Sequence, residues 1–161
     1  MVRYEYLVTR ETHTPLGRTL AVPLRLRQPT ANDRLELATL MMDSYVGTID
    51  YEGETYEQAV VEVDEYLAAE ALLDVSQITL NEGVIQSAVL MSRVVGTPLV
   101  GYVMTRADLK NRGIASALLD IAIEAVWATD DEEVRAFITE GNLPSETIFE
   151  RAGFRVIGSY G

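Results

Sequence analysis

The chain has 161 residues, 48% of them apolar and 24% charged, which is typical of one globular domain with its own core. It contains no cysteine and a single histidine, so disulfides, thiolate metal sites, a cysteine nucleophile and histidine clusters are excluded. We expect no leader sequence and no lipidation, and the sequence contains no apolar run of about 18 residues. We therefore expect a cytoplasmic protein with no metal site.

The net charge of −12 is concentrated in one block of the chain. Residues 35–92 hold twelve of the 25 acidic residues and no lysine or arginine, and the acidic residues elsewhere equal the 13 basic ones in number. Such a negative field repels nucleic acids and anionic membranes and attracts cations. We therefore expect neither a nucleic acid nor a membrane as a partner. A solvated acidic face that keeps the protein soluble is the alternative interpretation of the same block.

The first half of the chain contains signals for both strands and helices. Runs of alternating or β-branched residues predict strands at Tyr4–Thr9, Leu20–Arg27, Gln77–Leu80 and Val84–Arg93. The capping boxes Thr30–Asp33 and Thr55–Gln58 each open a helix, the first of which should end near Met42. Between the two helices lies a polar loop, residues 43–54, and His13 falls in a turn where we expect it to be exposed.

The central stretch, residues 99–119, predicts an apolar strand to Thr105, a loop, and a helix that opens after Gly113. The first amides of a helix have no intrahelical partner and lie at the positive end of its dipole. Together with Lys110 and Arg112 they would form a site for a phosphate-bearing ligand. Neither a Walker motif nor GxGxxG is present, so P-loop and Rossmann sites are disfavoured.

The remaining elements complete the predicted fold. A strand is expected at Val134–Thr139, a helix at Asn142–Ala152 with Gly153 after its end, and a last strand at Phe154–Tyr160. The resulting order, β, β, α, α, β, β, β, α, β, α, β, predicts an α/β fold with a mixed sheet.

Two motifs in this half resemble those of one enzyme family. The first, Lys110-Asn111-Arg112-Gly113-Ile114-Ala115, resembles the pyrophosphate loop Q/R-x-x-G-x-G/A of the GCN5-related N-acetyltransferases (GNAT family). The second, Asn142-x-x-Ser145-x-x-Ile148-Phe149-Glu150-Arg151-Ala152-Gly153-Phe154, is similar to the ending N-x-x-A/S-x-x-L-Y/F-E-K/R-x-G-F of the same family. The resemblance covers about residues 24–160 as the acyltransferase core, with residues 1–23 as an N-terminal strand extension of a single domain.

The resemblance implies a GNAT-type fold, a mixed, largely antiparallel sheet flanked by about four helices, with acetyl-CoA as cofactor. It implies that backbone groups of Val103, Met104 and Thr105 pair with the pantetheine arm of the cofactor. It further implies that the pyrophosphate is held by Lys110, Asn111, Arg112, Gly113, Ile114, Ala115 and Ser116. Asn142 would bond the pantetheine, with Ser145 and Phe149 beside it. A plain helix N-cap is the alternative role for Asn142, and the two roles can coexist.

The sequence departs from the family pattern at three points. Lys110 replaces the usual arginine or glutamine, which loses bidentate binding of phosphate. Phe149 stands where a tyrosine often protonates the leaving thiolate, so Ser145, Tyr160, Tyr102 or a water molecule would have to serve. The chain also carries one strand after its last helix where the family usually has two. We expect the strand Tyr4–Thr9 to occupy the vacant place or to help form a homodimer.

The acceptor amine needs a base, because a lysine-like amine with a pKa of about 10.4 is only about 0.04% neutral at pH 7. The candidate carboxylates are Glu140, Glu82, Asp50, Glu52 and Glu54. We favour the loop of residues 43–54 for acceptor contact, with Tyr45, Asp50, Tyr51 and Glu52 as the binding residues. Glu140, Ser145 and Tyr160 are the predicted catalytic residues.

The predicted function is direct transfer of an acetyl group from acetyl-CoA to a primary amine. The acceptor would be a small, cationic molecule or a peptide N-terminus. The alternative is a non-catalytic acyl-CoA-binding sensor or partner domain, which the missing tyrosine at Phe149 favours.

Overall fold

The computed structural model describes residues 1–21, 23–69 and 71–161, which form a single sheet flanked by helices. The strands are β1 (Arg3–Thr9), β2 (Arg25–Arg27), β3 (Gln77–Asn81), β4 (Val84–Val94), β5 (Thr97–Thr105), β6 (Glu133–Thr139) and β7 (Arg155–Tyr160). The helices are α1 (Arg34–Tyr45), α2 (Tyr56–Ala68), α3 (Ile114–Trp127) and α4 (Leu143–Arg151). The described residues thus confirm the predicted α/β class and the four predicted helices.

The strand order is β2-β3-β4-β5-β6-β1-β7. Every neighbouring pair is antiparallel except β5 and β6, which are parallel. The sheet is therefore mixed and largely antiparallel, as predicted. β1 lies between β6 and β7 and pairs with both, so the N-terminal strand is an interior strand of the sheet.

The long strand β4 separates two hydrophobic cores. Val89 and Met91 pack with α3 and α4 on one face, whereas Ala88 and Leu90 pack with α1 and α2 on the other. All four side chains are fully buried. Burial on both faces explains why β4 is an almost continuous apolar run and not an alternating one.

Two tight turns set the register of β3, β4 and β5. Glu82 and Gly83 join β3 to β4 with φ angles of 51° and 79°, and Val95 and Gly96 join β4 to β5 with φ angles of 49° and 79°. Two successive residues at positive φ are the signature of a type I′ turn, whose twist matches that of an antiparallel pair. The β3–β4–β5 unit is consequently held by local geometry.

Two expectations for the N-terminal region are wrong. The strand predicted at Leu20–Arg27 is limited to Arg25–Arg27, since Pro23 has no backbone N–H to give to a strand; Val22 lies outside the described residues. His13 is not an exposed turn residue, because its side chain is only 3% exposed and its Nδ1 accepts from Trp127 Nε1 at 3.0 Å. The turn therefore packs onto α3 and does not extend into solvent.

In the described part of the chain, no helix combines the length and the apolarity needed to cross a membrane.

Candidate active site

A cleft opens where β5 and β6 separate. The two strands are paired only at Leu99–Arg135 and Val100–Ala136, and beyond these pairs β5 follows β4 while β6 follows β1. The separation begins at Gly101, which the β4–β5 register skips. Such a bulge bends the strand that carries it. A Cβ on Gly101 would lie 3.3 Å from the Leu90 carbonyl oxygen, so glycine suits this position.

The cleft has a volume of about 1260 Å³ and is lined by residues from α1, α2, β5, β6 and α4 and from the loop between α1 and α2. All four residues predicted to contact the acceptor line it, namely Tyr45, Asp50, Tyr51 and Glu52. Four residues predicted to contact the cofactor line it as well, namely Val103, Asn142, Ser145 and Phe149. The fold thus brings into one cleft residues that lie about a hundred positions apart in the chain.

The N-terminus of α3 has open amides near the far end of β5. Gly113 is the N-cap, in the left-handed conformation with φ of 79°, and Asn111 is also left-handed with φ of 65°. The first intrahelical bond is from Ala117 N–H to the Gly113 carbonyl, so the amides of Ile114, Ala115 and Ser116 have no helical partner. No acidic residue occupies the first turn, which leaves the positive end of the helix dipole without an internal counter-charge.

The connection from β5 to α3 is tied to the C-terminal end of α1. Thr105 N–H donates to Ser44 Oγ at 3.1 Å, and Ala107 N–H donates to Asp43 Oδ2 at 2.8 Å. Lys110 Nζ donates to the Ser44 carbonyl oxygen. The side chain of Lys110 and the amide of Thr105 are therefore engaged inside the protein, and Met104 is buried in the core beneath α1 and α2.

Asn142 is the N-cap of α4 and also contacts the acidic loop. Its Oδ1 accepts from Ser145 N–H at 3.3 Å, and its Nδ2 donates to Asp50 Oδ2 at 2.9 Å. The structure confirms the N-cap. The second bond links the start of α4 to the loop that precedes α2.

Phe149 lies in the wall of the cleft with its ring 4% exposed. It meets Phe154 edge to face, with ring centroids 4.9 Å apart. A phenyl ring can donate no proton. Among the residues that line the cleft, the hydroxyl closest in sequence is that of Ser145, one turn earlier on α4.

Two of the predicted catalytic residues lie outside the cleft lining. Glu140 follows β6 and accepts from the Tyr4 hydroxyl at 3.0 Å. Tyr160, at the end of β7, donates to Glu5 Oε2 at 2.8 Å, and this bond to a carboxylate raises the pKa of the Tyr160 phenol. Glu82, a further candidate for the base, lies in the β3–β4 turn.

Two carboxylates on α2 that were not predicted, Glu62 and Glu65, line the cleft together with Asp50, Glu52 and Glu54. Glu62 accepts from the Tyr102 hydroxyl at 2.8 Å, next to the bulge at Gly101. Their spacing of three places both on one face of α2, away from the buried Val63 and Tyr66, and that spacing was a usable signal. Glu70 of the same acidic block lies outside the described residues.

Burial and the carboxylates of this wall together raise the pKa of two nearby phenols. Burial raises the pKa of Tyr102 well above its usual value, and the hydrogen bond to Glu62 raises it further. Burial, followed by the charges of Asp50 and Glu62, also raises the pKa of Tyr45. Both hydroxyls stay protonated at neutral pH and can act as hydrogen-bond donors in the cleft.

A comparison with known families gives this architecture a name. A family model described as an acetyltransferase (GNAT) domain matches residues 23–155, and the chain belongs to this family. The family predicted from the two sequence motifs is thereby confirmed. The fold is that of the GNAT acetyltransferases, whose cofactor is acetyl-CoA.

Solved structures of the family share the fold at low sequence identity. A GCN5-related N-acetyltransferase from Sphaerobacter thermophilus superposes with a TM-score of 0.76 at 17% identity over 99% of this chain and 49% of that one. The PaiA N-acetyltransferase of Thermoplasma acidophilum, in complex with coenzyme A, gives 0.69 at 14% over 87% and 94%. The aminoglycoside N-acetyltransferase AAC(6')-Iy, in complex with CoA, gives 0.63 at 18% over 88% and 98%.

The chain spans about half the length of the Sphaerobacter protein. A search of curated proteins finds no significant match.

Proposed function

We propose that this protein transfers an acetyl group from acetyl-CoA directly to a primary amine of a small cationic acceptor. One observation carries the proposal: the cleft where β5 leaves β6 has the open start of α3 beyond one end and a wall of carboxylates along its side. The first feature suits a phosphate-bearing donor and the second suits a cationic acceptor. Two structures that share the fold, those of PaiA and of the aminoglycoside N-acetyltransferase, are complexes with coenzyme A, which supports a coenzyme A donor.

The donor side is built mainly from main-chain groups. Thr105 N–H points away from β4, toward Ser44, so the alternation of strand amides directs the Val103 amide into the cleft. We place the amide bonds of the pantetheine arm at Val103, with Asn142 across the cleft, and the pyrophosphate at the amides of residues 113–116. When bound, acetyl-CoA supplies the thioester that the amine attacks.

On the acceptor side, Tyr45, Asp50, Tyr51 and Glu52 bind the cationic amine, together with Glu65. A negative wall recruits an ammonium ion but also stabilises its protonated form, so a base must remove a proton before attack. We assign this role to Glu62, because its bond to Tyr102 fixes one carboxylate beside the point where the strands separate. Glu140 is the weaker candidate, since it bonds Tyr4 outside the cleft lining.

As the C–S bond breaks, the departing sulfur needs a proton or must leave as a thiolate. Its pKa of about 8.5 makes departure as a thiolate tolerable. Ser145 is the hydroxyl on the cleft wall closest in sequence to Phe149, and either Ser145 or a water beside it donates the proton. Tyr160 is disfavoured for this role, because its hydroxyl is bonded to Glu5.

The test is release of free thiol from acetyl-CoA, followed with a thiol dye against separate pools of polyamines, aminoglycosides, amino acids and short peptides. The protein contains no cysteine and contributes no background. Thiol release that depends on a cationic pool supports the proposal and identifies the acceptor class. Release with neutral amines only would contradict the role of the carboxylate wall.

The buried phenyl ring at Phe149 favours a second candidate, a domain that binds acyl-CoA without turnover. In that case acetyl-CoA raises the melting temperature of the protein, and no acceptor pool causes release of free thiol. Phe149→Tyr then distinguishes a lost proton donor from a lost acceptor, because only the former regains activity when a phenol is supplied.

A further inference from the structure

The segment that follows β1 runs along α3 and is fixed there by one carboxylate. Asp120, on α3, accepts from Leu16 N–H at 2.9 Å through Oδ1 and from Gly17 N–H at 3.0 Å through Oδ2. Thr14 N–H donates to the Ala152 carbonyl oxygen at 2.9 Å, which anchors the same segment to the end of α4. These hydrogen bonds fix the backbone up to Gly17, the residue that precedes Arg18.

The guanidinium of Arg18 lies directly against Gly113. A Cβ added to Gly113 would be 2.5 Å from Arg18 Nε, 2.6 Å from Nη2 and 2.7 Å from Cζ. A side chain at Gly113 would therefore displace the guanidinium, and the left-handed φ of 79° independently favours glycine at this position. The contact brings a cation from the N-terminal segment to the residue at which the open amides of α3 begin.

This arrangement gathers positive charge with no internal partner. Among the described residues, Arg18 makes no ion pair, and neither does Arg112 on the loop itself. Arg18 lies against the N-cap of α3 and Arg112 directly precedes it, and the first turn of this helix contains no acid. Like charges brought together repel unless an anion lies between them, and in a protein of net charge −12 such a site is unusual.

We propose that Arg18 binds the pyrophosphate of coenzyme A and supplies the guanidinium that the phosphate loop lacks. The inference rests on the proposed function. At the loop start, Lys110 replaces the usual arginine or glutamine, and its ammonium is bonded to Ser44. Arg18 restores a planar, bidentate donor from a different part of the chain. Asp120 is the positioning residue, because it holds the backbone from which Arg18 extends.

The experiment measures dissociation constants of coenzyme A, dephospho-coenzyme A and pantetheine by calorimetry or by competition. Arg18→Ala should weaken both nucleotide ligands roughly tenfold or more and leave pantetheine unchanged, as expected for a lost charge-assisted hydrogen bond. Arg18→Lys should recover part of the loss. Arg25→Ala is the matched control, since Arg25 is also exposed but lies on the edge strand β2.

Asp120→Asn gives a second test, in which the direction of the change in coenzyme A affinity distinguishes two effects. Removing a negative charge near a phosphate would by itself strengthen coenzyme A binding, whereas loss of the tether to Leu16 and Gly17 releases Arg18 and weakens it. We expect weakening, and we expect the same substitution to have no such effect when Arg18 is already alanine. Tighter binding in Asp120→Asn would contradict the positioning role.

The outcomes separate this inference from the proposed function. If the wild-type protein binds no coenzyme A, the proposed function fails. If it binds coenzyme A and Arg18→Ala binds equally well, only the role of Arg18 fails. Loss confined to coenzyme A, with dephospho-coenzyme A unaffected, would overturn the assignment to the pyrophosphate and place the contact at the 3′-phosphate.

Discussion

The two ends of the cleft are built from different materials. In the proposed function, the donor end consists mainly of main-chain groups, the open edge of β5 and the first amides of α3, made available by Gly101 and Gly113. The acceptor wall consists of carboxylate and phenol side chains on α1, α2 and the loop between them. A few glycines are enough to maintain the backbone geometry, whereas the side chains of the wall can be substituted without changing the fold. In the proposed function, the backbone of the fold therefore determines which donor binds, and the side chains of the wall determine which acceptor binds.

The largest expected effect is on the acceptor side. Glu62→Gln should lower kcat about a hundredfold, the lower end of what a positioned base contributes, while leaving the dissociation constant of acetyl-CoA unchanged. Steady-state kinetics with the acceptor found in the thiol assay, together with a binding measurement, checks both. Glu65→Gln is the control on the same helix and should alter KM more than kcat. Equal loss of kcat in the two variants would remove Glu62 from its role.

On the donor side, Gly113→Ala should weaken coenzyme A binding about tenfold. The added Cβ overlaps the Arg18 guanidinium, which must move away from the phosphate loop. The control is Gly83→Ala, because Gly83 has the same φ of 79° but lies in the β3–β4 turn with nothing within 4 Å of its added Cβ. Both variants should lose about 1–2 kcal/mol of stability from the left-handed strain, measured by thermal unfolding. If both also lost coenzyme A affinity, the effect would belong to stability alone.

The contribution of Asp33, at the N-terminal end of α1, to the free energy of unfolding should depend on pH. Asp33, before α1, accepts two bonds from Arg27 at 2.8 Å, and Arg27 holds the pKa of Asp33 below its usual value. The resulting stabilisation is full above the unfolded-state pKa of about 3.9 and is lost as the pH falls through the lower folded-state value. Asp33→Asn should cost about 1–2 kcal/mol at pH 7 and little at pH 2. Denaturant unfolding at the two pH values measures this, and an equal cost at both would refute it.

The smallest expected effect concerns the contact between the two ends. Asn142→Ala removes the N-cap of α4 and should cost about 1 kcal/mol of stability. Asn142→Ser keeps a capping oxygen but lacks the amide that donates to Asp50, so it should retain stability and change only the KM for the acceptor. A stability loss of the same size in both variants would mean that the bond to Asp50, and not the cap, supports α4.

The same contrast explains what the sequence could predict. The α3 loop and the start of α4 were predictable, because glycine, capping residues and open amides act locally and leave short motifs. The spacing of Glu62 and Glu65 could have placed both on one face of α2, but the role of Glu62 was not predictable. That role depends on Tyr102, which is forty residues away and joins it only after β5 pairs with β4. His13 failed for a similar reason: a turn-rich context says nothing about Trp127, which buries it. Arg18 lay in no motif at all.

The position of β1 also has a consequence for the order of folding. Its partners come from the far end of the chain; Tyr4 bonds to Glu140, 136 residues later. Closing so long a loop costs entropy before any contact rewards it, and such pairing raises the contact order. The β3–β4–β5 unit, with its two-residue turns, can form from neighbouring residues. In the described sheet β7 pairs with β1 alone, so it joins the rest only once β1 is in place. β1 is therefore among the last strands to pair, although it is near the start of the chain. Its pairing completes the sheet at an interior position.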